Sequence, residues 1–120
     1  MTDKTMTKAA AKADLPPTVV LMHAQTIHSV DEPGATEVVV RICSEPLTGA
    51  SHREIATAIA TAVYDAGLDA KITRFYVTSW IPVGDSIEQG DPLRIDHFAL
   101  YLWGPDVPDP DSRWKTRMED

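Results

Sequence analysis

The chain is short of nearly everything that catalytic chemistry uses. It holds one cysteine, Cys43, and one thiol cannot form an internal disulfide or a multi-cysteine zinc site. Cys43 lies in an apolar, strand-like run, where the expected role is that of a small buried hydrophobe. No glycine-rich phosphate loop, HExxH, GxSxG or CxxC occurs. The short motifs of nucleotide, zinc-protease, serine-hydrolase and thiol-redox sites are therefore missing, and no cofactor is expected. Positive charge is also scarce: Lys+Arg number 11 against 18 Asp+Glu, a net charge of -7. Nucleic acid as the main ligand is disfavoured, because its binding needs cations that displace counterions from phosphates. An anionic membrane surface is disfavoured for the same reason. The acids are scattered, as solubility requires. No apolar run approaches the roughly 20 residues that cross a bilayer, and the polar N-terminus carries no apolar export segment. Assembly in the cytoplasm is the expectation.

What is present is a scaffold. The 120 residues, 43% of them hydrophobic, fit one globular domain, and a chain of this size buries about two thirds of its unfolded surface without help from metals. Residues 1–14 are small and charged, with no apolar face wide enough to bury, and are expected to be a flexible arm. Leu15-Pro16-Pro17 sets an extended entry, and Thr18–Val30 follows as a β-branched, alternating strand. Asp31-Glu32-Pro33-Gly34 is a turn into a second strand, Thr36–Ser44, so the two form a hairpin. The clearest local signal is a helix over Ser51–Ala66. Ser51 is a good N-cap with Glu54 three residues on. Ile55, Ala58, Ile59, Ala62, Val63 and Ala66 repeat at helical spacing, and Gly67 stands where a left-handed C-terminal residue belongs. Ala70–Ile81 and Leu93–Trp103 are the third and fourth strands, joined by a polar loop over residues 82–92. The predicted class is α+β: a four-stranded, mostly antiparallel sheet in the order β-β-α-β-β, with one amphipathic helix on one face. The domain spans residues 15–103, and residues 104–120 are a Pro/Asp-rich tail.

None of the polar clusters has the spacing of a site. His23 and His28 lie five apart and so on opposite faces of a straight strand. His52 follows the helix cap, where a solvated side chain is expected. His97 is beside Asp96, but strand neighbours point apart. Asp85, Glu88 and Asp91 gather in the 82–92 loop without the ligand spacing of a calcium loop. A solvated hairpin loop suits them better, with reaching a neighbouring subunit as its alternative use. Trp114, in the C-terminal tail, is a candidate anchor on such a partner. Catalytic, cofactor and metal residues are thus predicted to be none, and the candidate contacts are Asp85, Glu88, Asp91 and Trp114. Strand edges, a long loop and two tails suit a protein that works by assembling.

One family has this layout. Leu15-Pro16-Pro17-Thr18-Val19-Val20-Leu21 resembles the proline-led first strand of phage tail-terminator (tail-completion) proteins, whose fold is shared by neck and head–tail joining proteins. Residues 37–44 are similar to that family's second strand, residues 52–66 to its central helix, and residues 72–80 and 93–103 to its closing pair of strands. The likeness covers about residues 15–103 and is one of residue type. The family begins with a longer helix, where this chain has its polar arm. The resemblance implies a homo-hexameric ring that caps the tail tube of a long-tailed phage and meets the head connector. The virion would be its location and the genome only a passing, repelled polymer. Two other readings share the features: a small inhibitor that binds a host protein through an acidic face, and a small oligomeric α+β enzyme using His97 or His23 with an acid.

Overall fold

Residues 36 to 43 alternate strictly between buried and half-buried positions, the period of a pleated strand. They form β2 (Thr36–Cys43), the heart of the sheet in a computed structural model that describes residues 2–28, 32 and 34–116. β1 (Val20–His28) pairs antiparallel on one side of β2, with a bulge between Leu21 and His23. β3 (Ile72–Val83) lies parallel on the other side. The far edge of β3 is shared between β4 (Ser86–Gln89), at its C-terminal end, and β5 (Leu93–Asp96), on its N-terminal half; both run antiparallel. The fold is α+β with a mostly antiparallel sheet, as the sequence implies, but with five strands and two α-helices among the described residues. Of the expected first hairpin, Ser29, Val30, Asp31 and Pro33 lie outside the described residues, as do residues 117–120 of the tail.

The parallel pairing follows from α2 (Gly49–Asp65), the crossover that carries the chain from the end of β2 back to the start of β3. Its cap is Thr48, not Ser51. Thr48 Oγ1 accepts from the Ser51 N–H at 3.1 Å, and Ser51 belongs to the first turn. The other end is as expected. Gly67 has φ +75°, and the Leu68 and Gly67 N–H groups bond the Val63 and Tyr64 carbonyls at 3.3 and 2.9 Å, a Schellman closure. The buried side is His52, Ile55, Ala56, Ile59, Ala60 and Val63. It is turned from the expected stripe because Ala58 and Ala62 face residues 12–14 and Gly104-Pro105 instead of the sheet.

The expected loose arm is a helix, α1 (Asp3–Ala10), with Met6, Ala9 and Ala10 buried. Two constraints order it. Met6 and the alanines fill the space beside α2, and the outer edge of β1 needs hydrogen-bond partners. Thr7 Oγ1 accepts from the Ala24 N–H at 3.0 Å and donates to the Ala24 carbonyl at 3.2 Å. Asp3 Oδ1 accepts from the Thr26 hydroxyl and the Thr26 N–H, each at 2.7 Å. Those two bonds hold the Asp3 carboxyl below its ordinary pKa.

The C-terminal third departs furthest from expectation. The 82–92 segment is not all loop: β4 turns back on β3 through Gly84-Asp85, with Gly84 at φ +59°. The fourth strand ends at Asp96, where His97 turns the chain at φ +57° and Phe98–Leu100 form a 3-10 turn. The apolar run after it resembles a strand, yet Leu100 and Leu102 are 80% and 65% exposed. The tail belongs to the core. A 3-10 turn over Pro110–Arg113 delivers Trp114, only 1% exposed, against Phe75 and Trp103. Trp114 Nε1 donates to Thr57 Oγ1 at 3.0 Å, and Arg53 Nε donates to the Trp114 carbonyl at 3.3 Å. Lys115 and Arg94 then exchange both backbone bonds at 2.9 Å, closing the outer side of β5.

Met6 and Trp114 test these assignments. Met6→Ala is expected to cost about 2–5 kcal/mol and Trp114→Ala about 3–5 kcal/mol of unfolding free energy, read from urea titrations. Side chains in loose ends would shift stability by no more than about 0.5 kcal/mol.

Candidate functional site

The two faces of the sheet differ in kind. Ala24, Val38, Val40, Ile42, Phe75, Val77, Leu93 and Ile95 share one face and join the buried residues of both helices in a single core. The other face lies on the far side of the sheet from that core, and its side chains follow from the register. Ile27, Glu37, Arg74 and Asp96 form one row across the strands, and Gln25, Val39, Tyr76 and Arg94 the next. His23, Arg41 and Thr78 follow, then Val20, Cys43, Trp80 and Gln89.

Charge is concentrated at one end of this face. Arg74 Nη1 lies 3.5 Å from Glu37 Oε1, Arg74 Nε lies 3.4 Å from Asp96 Oδ1, and Arg94 Nε lies 3.6 Å from Asp96 Oδ2. Such exposed pairs contribute about 0–1 kcal/mol each, so they orient the side chains more than they stabilise the fold. Tyr76 first, then Glu37, raise the Arg74 pKa further. One row on, Arg41 Nη1 donates to His23 Nε2 at 2.9 Å and to Gln25 Oε1 at 3.2 Å.

Two open clefts flank the charged row. One, of about 430 Å³, is lined by Arg74, Tyr76, Pro92, Arg94 and Asp96. The other, of about 400 Å³, holds His97 among Glu32, Ala35, Glu37, Thr73, Arg74 and Asp96. His97 therefore does meet carboxylates in a concavity, although its ring makes no hydrogen bond to them among the described residues. Glu37 and Asp96 are engaged by guanidinium groups. The only hydroxyl among the described residues lining that cleft, Thr73 Oγ1, already donates to the Thr36 carbonyl at 3.2 Å. The arrangement suits recognition of a polar surface better than proton transfer. Among the described residues no three His, Cys, Asp or Glu side chains gather as a metal set.

No family model matches the chain, and no curated protein or solved structure matches it. The site has to be judged on its own geometry.

Of the expected contact residues, Asp85 lies in the β3–β4 turn, Glu88 in β4 and Asp91 just beyond it, all exposed. They share one hairpin. Trp114 is not with them, because it is spent on the chain's own core. His52 is not solvated. It is 8% exposed, beneath the first turn of α2. Burial lowers its pKa, against the opposing effect of a ring hydrogen bond to the Val77 backbone, and Nε2 has no partner. Arg74, Tyr76 and Arg94 were not legible as a group. The alternation Arg74-Phe75-Tyr76-Val77 marks two faces, but only the register brings Arg94 and Glu37 alongside.

His52 makes stability depend on pH. The folded state resists protonation, so the unfolded chain takes up the proton first, from about pH 6.5 downward. The stability held above that pH is lost as pH falls through it. Urea midpoints at pH 7.5 and 5.5 are expected to drop more for the wild type than for His52→Gln. Equal drops would show that His52 titrates alike in both states.

Proposed function

We propose that this chain is a structural subunit of a virion: a tail-terminator or neck component that forms a ring, caps the tail tube of a long-tailed phage and joins it to the head. The observation that carries the reading is α1. The family that the sequence resembles opens with a longer helix before its first strand, and α1, a helix of eight residues bonded to β1 through Asp3 and Thr7, is consistent with a reduced form of it. The polar sheet face and the exposed β3–β4 hairpin supply surfaces for neighbours. Tail-tube and head-connector proteins are the partners on this reading, together with copies of the chain itself. The net charge of -7 favours a lumen that repels the genome and lets it slide.

Catalysis is the weaker reading. His23, His28 and His97 are exposed, and two of the carboxylates in the cleft with His97, those of Glu37 and Asp96, are tied to Arg74. A host-directed inhibitor would use the same acidic hairpin.

Light scattering on the purified protein, alone and with polymerised tail-tube protein, tests the proposal. The expected result is a mass several times the 13.2 kDa of one chain, and sedimentation with the tubes. A monomer that ignores tubes, and that instead retains a single host enzyme from lysate, would overturn it in favour of the inhibitor.

A further inference from the structure

Opposite ends of the sheet carry opposite charge. At one end, α1 seals β1, and its buried side is Met6, Ala9 and Ala10. Lys4 and Lys8, one turn apart, therefore face solvent, and Lys12, also exposed, follows just past the end of α1, on the rim of the cleft toward α2. The strand order β1-β2-β3-β4 puts β4 at the far end. All four residues of β4 are exposed, and among the described residues its outer side pairs with no strand. Asp85, Glu88 and Asp91 line that hairpin beside Ile87, itself 56% exposed. Among the described residues neither the lysines nor these acids enter an ion pair.

We infer that the β3–β4 hairpin of one copy docks on the α1 face of a second copy, head to tail. Three observations select a second copy in this orientation. The charges at the two ends are complementary. Pairing β4 with β4 across a two-fold axis would set acids against acids, which destabilises a strand pair. The outer edge of β1 is closed by Asp3 and Thr7, so the hairpin meets the helix and not a free strand. There Ile87 lies against the methylene stems of the lysines while the carboxylates reach their ammonium groups. A head-to-tail contact leaves one free end on each side, so it repeats. It closes into a ring when the rotation per copy allows and runs on as a filament otherwise. Only closure rests on the ring reading; the contact itself does not.

Charge reversal tests the contact. One variant carries Lys4→Glu, Lys8→Glu and Lys12→Glu; the other carries Asp85→Lys, Glu88→Lys and Asp91→Lys. Light scattering at low salt is expected to show each variant alone at least tenfold weaker in self-association than the wild type. The 1:1 mixture should recover assembly, because both of its contacts again join opposite charges. Raised salt should weaken the wild type. Circular dichroism melts check folding, and Lys→Gln and Asp→Asn/Glu→Gln versions replace any reversal that unfolds. If the wild type assembles and neither reversal alters its mass, or the mixture fails to recover, the contact is wrong and the ring reading survives. A wild-type monomer that still binds tail tubes overturns the contact and leaves the station in the virion standing.

Discussion

A strand at the rim of a sheet presents backbone groups that must find partners or water, and this small fold is arranged around that demand. The β1 rim is met by two side chains of α1: Thr7 serves both the donor and the acceptor of Ala24, and Asp3 serves Thr26. The β5 rim is met by backbone, through Lys115. Each solution recruits a chain segment that would otherwise have little reason to be ordered, and each segment then adds its own apolar side chain to the core, Met6 from one and Trp114 from the other. The β4 rim is left unmet among the described residues. A short, exposed, acid-bearing strand is one of the ways proteins keep such a rim from pairing indiscriminately.

The faces of the sheet divide the labour in the same way. The helical side is mainly aliphatic apart from His52, ending in an aromatic cluster where Phe75 and Phe98 stack with centroids 4.7 Å apart. The other side is built from side chains that neutralise each other in pairs, Arg74 with Glu37 and Asp96, Arg41 with His23 and Gln25. A surface of that kind stays soluble when bare and offers many hydrogen bonds when covered. It also keeps its carboxylates occupied by guanidinium groups, which leaves them poorly placed to reach a substrate proton.

How far the sequence could be read depended on whether local signals decided the outcome. β2 and α2 are set by period, cap and C-terminal glycine, and both lie where the pattern puts them to within a few residues. α1 was missed because its apolar face has a single large residue, Met6; what orders it is a bond to a strand twenty residues away, and spacing does not display that. The stop at His97 was missed because Ala99–Leu102 has strand composition, while its leucines turn outward, Leu100 in a 3-10 turn and Leu102 just beyond it. Trp114 looked like a partner's anchor because nothing nearby in sequence could hold it, and its holders, Thr57 and Arg53, belong to another element. The hairpin acids were recognisable as a loop cluster, but their separation from the lysines of α1 by the whole width of the sheet appears only in three dimensions.

The aromatic cluster has a consequence for how the chain is made. Phe75, Phe98 and Trp103 lie in the first hundred or so residues, yet the cluster is closed by Trp114, and the free side of β5 by Lys115. A nascent chain can form the β1–β2 hairpin and α2 early, since their contacts are near in sequence. It cannot seal its apolar interior until the segment bearing Trp114 has left the ribosome. Until then it exposes aromatic surface of the kind that chaperones hold. Premature termination between Trp103 and Trp114 would therefore yield not a slightly shorter domain but an aggregation-prone one, so the last few residues of the fold decide whether the rest of it stays in solution.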